Sequence, residues 1–125
     1  MWTVLEIDQN LLNIFRKDFK KNTSSEAEIY CPKYLVQHFR KNKLKFKEIK
    51  LLNNYIFCFN SNFKNSNFLN TIKYLKGFKS CVPGYLNTQK EIIRYINTCK
   101  KSEDKFGYIK SEFFNINPKN NYRLK

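Results

Sequence analysis

The spacing of apolar residues along this chain switches repeatedly between the two-residue period of a strand and the 3.6-residue period of a helix. Residues 2–7 (WTVLEI) alternate as a half-buried strand does and are rich in residues that favour strands. Asp8 can cap the helix that follows. That helix carries its apolar residues on one face, at Leu11, Leu12, Phe15 and Phe19.

Strand and helix signals continue to about residue 100, where the pattern decays. In chain order they predict an extended segment at 28–39 with a bend at Pro32, a core strand at 55–59, a helix from Ser66 or Asn67 with Gly77 after its end, a short strand at 78–82, and a helix whose capping box is Thr88–Glu91.

Residues 40–50 (RKNKLKFKEIK) form a strand pattern with one strongly cationic side. The segment holds six cations and Glu48, so its net charge is 6 − 1 = +5. Lys43, Lys45 and Lys47 alternate with apolar residues and Glu48, which places three ammonium groups on one side of a strand. We expect this strand to be one arm of a basic hairpin.

The order of these elements, β-α-β-β-β-α-β-α, predicts an α/β (α+β) fold in which helices flank a mainly antiparallel four-stranded sheet. The chain has 125 residues, which is enough for about one domain. We expect residues 1–100 to form that domain, with the hairpin around 40–50, and residues 101–125 to be a basic C-terminal tail or linker. No apolar run approaches the ~20 residues that span a bilayer, so we expect a cytoplasmic protein without membrane contact.

The formal net charge is 24 − 10 = +14, and such a charge attracts polyanions such as nucleic acid. Twenty of the cations are Lys, and the chain also has 17 Asn. Both residues have A-rich codons, so an AT-rich genome is an alternative source of the charge. Lys binds phosphate as a point charge, whereas Arg supplies bidentate base recognition. We therefore expect phosphate contacts rather than base-specific recognition, and any single Lys has the alternative role of a solvated side chain.

The residue types needed for catalysis or for a metal site are scarce. The four cysteines show no C-x-x-C spacing and His38 is the single histidine, so we expect structural thiols and no metal. The chain has three glycines and few, dispersed carboxylates, without a phosphate-binding loop or a two-metal centre. We expect no enzymatic activity and no cofactor.

Four segments, in order, carry a resemblance to a known family. They are Trp2–Leu5 (WTVL), Tyr30–Pro32 (YCP), Leu51–Cys58 (LLNNYIFC) after the basic hairpin, and Leu75–Val82 (LKGFKSCV) after the second helix. In this respect residues 2–99 resemble the N-terminal domain of NusG-type transcription elongation factors. Asn54, where many members have Gly, is similar to the specialised RfaH-type paralogs. Asn53 departs from the family's Pro, and the family's C-terminal KOW barrel does not fit within the chain.

The resemblance implies a factor that binds multisubunit RNA polymerase and suppresses pausing or termination. Such domains bind the β′ clamp helices and the β gate loop or lobe, and they contact non-template or upstream DNA and nascent RNA. The resemblance and the composition together imply a monomer encoded by a bacterium or phage with an AT-rich genome. The alternative is a stand-alone basic DNA- or RNA-binding module, for example one associated with the ribosome.

Site residues follow from the resemblance by position. The alternative for Tyr55 and Phe57 is plain core, and alternation along residues 55–59 should distinguish the two roles. The alternative for residues 68–71 is an ordinary amphipathic helix start. The implied clamp-binding residues are Glu6, Tyr55, Phe57, Cys81 and Tyr85; the gate-loop residues are Phe68, Leu69, Asn70 and Thr71; and the nucleic-acid-binding residues are Arg16, Lys17, Lys20, Lys41, Lys43, Lys45, Lys47, Lys73 and Lys76.

Overall fold

A computed structural model of the chain describes residues 1–23 and 26–115. Its regular elements follow the predicted order. They are β1 (Trp2–Ile7), α1 (Leu12–Asn22), β2 (Glu28–Tyr30), β3 (Lys33–Arg40), β4 (Lys43–Lys50), β5 (Tyr55–Phe59), α2 (Phe68–Ile72), β6 (Phe78–Cys81), α3 (Gln89–Lys101) and α4 (Glu112–Asn115).

The strands form two antiparallel sheets. One has four strands in the order β2-β5-β1-β6, and the other is the two-stranded ribbon β3-β4. Together with the helices this is an α+β fold, so the predicted fold class is confirmed. Within the described parts of the chain, no helix has the length and apolar character needed to cross a bilayer.

The chain divides into two compact units. The first contains 1–31 and 52–94, and therefore the four-stranded sheet with α1 and α2. The second contains 32–51 and the described residues from Tyr95 onward, and therefore the ribbon. Residues of α3 belong to both.

The core of the first unit lies on one face of its sheet. Leu5 stands opposite Ile56, and Thr3 opposite Cys58, so these four side chains share a face, and each is fully buried. Phe15 and Phe19 of α1 are also fully buried because their i, i+4 spacing places them on one side of that helix. Their rings stack with centroids 5.7 Å apart.

Two helices differ in extent from the sequence prediction. Asp8 is an N-cap as predicted, since its carboxylate accepts a hydrogen bond from the Asn10 backbone amide at 3.0 Å. The element that it caps is a single 3₁₀ turn, however, and α1 begins after that turn, at Leu12. The second helix begins at Phe68 and has five residues. Gly77 lies further along, with φ +94°, where a Cβ would come within 3.1 Å of the Leu11 Cβ. Glycine is therefore favoured at this position for two reasons: the start of α1 lies very close to it, and its backbone is in the left-handed conformation.

Two other predicted segments contain more than one structural element. The extended segment breaks at Pro32 into β2 and β3, as the proline indicated. The expected tail contains structure: Glu103 pairs with Ile109 in an antiparallel bridge, and α4 follows. The remainder of that tail, 116–125, lies outside the described residues.

Candidate nucleic-acid and partner-binding surfaces

The four-stranded sheet has a second face that is largely aromatic. Strand register places Trp2, Tyr55, Phe57 and Phe59 on this face, and Tyr30 joins it opposite Phe57. Trp2 and Phe59 pack edge to face at 5.3 Å, and Tyr30 stacks on Phe57 at 6.4 Å. We call these five residues the aromatic sheet face. Most of its side chains are only partly buried, which is unlike the fully buried Thr3, Leu5, Ile56 and Cys58 of the core face.

The alternation along β5 separates the roles of the two expected clamp residues. Tyr55 is 41% exposed, whereas Phe57 is buried on the same face, and Ile56 is fully buried on the core face. Tyr55 is therefore available to a partner. Phe57 is a packing residue, stacked on Tyr30.

The five expected clamp-binding residues do not form one cluster. Glu6 stands opposite Tyr55 and accepts a hydrogen bond from the Ser80 hydroxyl at 3.0 Å, so it lies at the rim of the aromatic sheet face. Cys81 pairs with Leu5 and therefore lies on the core face. Tyr85 is buried, and its hydroxyl donates to the carbonyl of Phe63 at 3.0 Å.

Two of the expected gate-loop residues, Phe68 and Thr71, border a cleft. This cleft, of about 310 Å³, is also bordered by Asn62, Asn65 and Asn67. Leu69 and Asn70 belong to the same helix, α2, but do not line the cleft. The Phe68 ring packs edge to face on the buried Phe63 at 5.1 Å, which anchors this end of the helix to the core.

The ribbon β3-β4 has two chemically different faces. The register pairs Arg40 with Lys43, His38 with Lys45, and Val36 with Lys47. Directly opposite residues share a face, so the three lysines lie on one side, as their alternation predicted. We call this side the cationic ribbon face; its members are His38, Arg40, Lys43, Lys45 and Lys47.

The other side of the ribbon is apolar towards its tip. There Phe39 pairs with Leu44, and Gln37 with Phe46. Sequence reasoning missed this surface, although the same period-two pattern contained it. We call it the apolar ribbon face; its members are Leu35, Phe39, Leu44 and Phe46.

A small network holds the base of the ribbon. The Tyr108 hydroxyl donates to the Glu48 carboxylate at 3.1 Å, and the Lys33 ammonium lies 3.4 Å from the same carboxylate and 5.1 Å from the Tyr108 ring centroid. The hydrogen bond to Glu48 raises the pKa of Tyr108. The Ile109 amide donates to the Lys33 carbonyl at 2.8 Å, so the ribbon is anchored by backbone and side chains together.

The expected nucleic-acid-binding residues outside the ribbon are on helix surfaces. Lys17 and Lys20 are exposed on α1, while Arg16 is half-buried. Lys73 and Lys76 are exposed after α2. Lys41 occupies the ribbon turn with a positive φ of 54°. These positions belong to two units, so each group is a candidate phosphate contact by itself.

The buried thiols are poorly suited to metal binding or nucleophilic chemistry. Burial raises the pKa of Cys58 well above its ordinary value and that of Cys99 to about 11, so both stay protonated near neutral pH. In residues 1–23 and 26–115, no group of three or more metal-ligating side chains is close enough to hold an ion.

The raised pKa of Cys99 predicts that the free energy of unfolding falls at alkaline pH. Cys99 has a folded-state pKa of about 11 against 9.0 unperturbed, so between these pH values the unfolded chain releases a proton that the folded chain keeps. This contribution is complete below about pH 9 and is lost as pH rises through about 11. Urea unfolding of wild type and Cys99→Ala across that range measures it, and an equally steep fall in both proteins would contradict it.

No known protein-family model matches the chain, and no curated protein matches it either.

Proposed function

We propose that this protein is a transcription elongation or antitermination factor that binds multisubunit RNA polymerase, suppresses pausing or termination, and contacts nearby DNA. The observation that carries the proposal is the aromatic sheet face, with Tyr55 exposed at its edge opposite Glu6. Support also comes from the four resemblance segments, of which Trp2–Leu5 and Leu51–Cys58 contribute β1 and β5 to this face.

The aromatic sheet face suits an apolar, helical partner such as the clamp helices. Four of its five rings are already packed in pairs, so little of their side-chain entropy is lost on binding. A bound factor favours the polymerase conformation for which it has the higher affinity, and a preference for the closed clamp would disfavour pausing. The cleft beside Phe68 and Thr71 is the corresponding candidate for the gate loop or lobe.

A stand-alone nucleic-acid-binding module is the second candidate, and the cationic ribbon face favours it. Four Lys and Arg side chains and His38 stand in two adjacent columns, which can follow a phosphate backbone without help from a polymerase. Salt distinguishes the two candidates. Phosphate binding weakens steeply as salt is added, whereas an apolar contact with polymerase persists.

We expect Tyr55→Ala to weaken binding to RNA polymerase by about 10-fold or more, because the most exposed aromatic side chain of the proposed contact is lost. Co-elution of the full chain with a bacterial multisubunit polymerase, at moderate salt and without nucleic acid, measures this. Tyr55 is preferred to Phe57 as the test residue, since a buried Phe57 would also destabilise the fold when truncated.

Tyr74→Ala is the matched control, because Tyr74 is 79% exposed and does not belong to the aromatic sheet face. The proposal requires wild type and Tyr74→Ala to co-elute with polymerase while Tyr55→Ala does not. If none of the three binds polymerase and all bind DNA or RNA in a salt-sensitive manner, the stand-alone module replaces the elongation factor.

A further inference from the structure

The tip of the ribbon exposes an unusual amount of apolar surface. Phe39 is 78% exposed, Phe46 56%, and Leu44 48%. Phe39 and Leu44 are directly opposite each other and form the last pair of the apolar ribbon face before the turn. Exposed apolar residues that cluster in this way indicate a binding surface.

The size of the apolar ribbon face argues against a protein partner or a second copy of the chain. Its four side chains offer on the order of 400 Å², about half of the ~800 Å² that each partner contributes to a standard protein–protein interface. A single base step offers a much smaller apolar target, which one or two such side chains can fill.

The distribution of charge suits a nucleic-acid partner. The cations nearest the tip stand on the opposite face of the ribbon and at the turn, whereas Lys33 and Lys50 lie on the apolar side at the other end of the ribbon. In a DNA groove, phosphates rise along both edges of an inserted ribbon, where flexible Lys and Arg side chains can reach them. Arg40, Lys41 and Lys43 lie within one residue of Phe39 or Leu44 along the chain or at the turn.

We infer that the tip of the ribbon is a wedge that inserts Phe39 and Leu44 into a base step of duplex DNA. The neighbouring cations hold the flanking phosphates while the two side chains unstack the step. This inference specifies how the protein of the proposed function would contact DNA. It rests on that proposed function only for its biological setting, since the wedge can bind DNA without polymerase. Apolar wedges of Phe or Leu that kink duplexes are a known mode of minor-groove binding.

Such a wedge must select deformable DNA. Unstacking costs a few kcal/mol per step, and pyrimidine–purine steps such as TA are the easiest to open. A mismatched step is already partly unstacked and costs less. The preference is therefore for flexible or mismatched steps rather than for a sequence read by hydrogen bonds.

The test uses the full chain and a short duplex with 2-aminopurine beside a central TA step, without polymerase. Wild type is expected to increase 2-aminopurine fluorescence on binding, and more so when the step is mismatched. Phe39→Ala/Leu44→Ala is expected to lose that increase and about 10-fold in affinity, from lost stacking, with an unchanged slope of log K against log salt. Phe106→Ala, which removes an equally solvated ring (70% exposed), is expected to behave as wild type.

Three results would overturn the inference. The first is binding of wild type without a change in 2-aminopurine fluorescence, and the second is an equal signal from the double variant. The third is loss, in the double variant, of binding to phosphatidylserine-containing vesicles with no effect on DNA. Failure of the elongation-factor proposal is a separate result, because it is measured by co-elution with polymerase and through Tyr55.

Discussion

Replacement of Phe63 by alanine is expected to lower the free energy of unfolding by about 3–5 kcal/mol, the range for truncating a buried phenylalanine. Phe63 is fully buried in the turn that follows β5. Its ring lies 6.2 Å from Phe19, 5.1 Å from Phe68 and 6.1 Å from Tyr85, so it joins a helix, the cleft border and a 3₁₀ turn. A cavity here would be lined by rigid rings that cannot collapse easily.

Urea unfolding followed by circular dichroism measures this change as a shift of the midpoint at constant slope. Phe106→Ala is the control, since a 70% exposed ring should change the free energy of unfolding by no more than about 0.5 kcal/mol. Similar midpoints for the two variants would mean that the Phe63 cluster is not the core of the first unit.

Conversion of Lys43, Lys45 and Lys47 to glutamine is expected to weaken binding to duplex DNA on the order of 100-fold at ~0.1 M salt, because three phosphate contacts and their released counterions are lost. The slope of log K against log salt should become shallower by up to about 2.7, or about 0.9 for each contact. All three lysines are exposed and share the cationic ribbon face, so the fold should be unaffected.

Lys64, Lys79 and Lys90, converted together to glutamine, provide the matched control. These three lysines are also exposed and lie outside the ribbon. Their replacement lowers the formal net charge by the same amount as the ribbon variant, from +14 to 14 − 3 = +11. A local phosphate site predicts a large effect for the ribbon variant alone. Equal losses in both variants would show that DNA responds only to the total charge.

Local patterns in the sequence were sufficient to predict most of the fold. Two-residue alternation identified β1 and the strand that carries Lys43–Lys47, and Pro32 marked the break between β2 and β3. These predictions succeed because each depends on neighbours within about ten residues. The second helix was predicted too long because Gly77 was interpreted as the residue that directly follows its end. A glycine is needed at position 77 for another reason, which is the close approach of Leu11.

The candidate surfaces were less accessible to sequence reasoning because they depend on register. Cys81 lies on the opposite face of the sheet from Tyr55, and only the pairing of β6 with β1 reveals it. Tyr85 could equally have been a surface residue, but its hydroxyl finds an acceptor in the core. The apolar ribbon face likewise becomes visible only when Phe39 is known to stand opposite Leu44.

The ribbon turn also acts as a register lock. Lys41 and Asn42 close the hairpin in two residues, both at positive φ, as its right-handed twist requires. A strand reverses its side chains with every residue, so a slip of one residue would exchange the neighbours of every lysine and phenylalanine across the ribbon. The segregation of the cations from Phe39, Leu44 and Phe46 near the tip therefore depends on the length of a two-residue loop, and an insertion there would mix the two faces without altering any of the residues that form them.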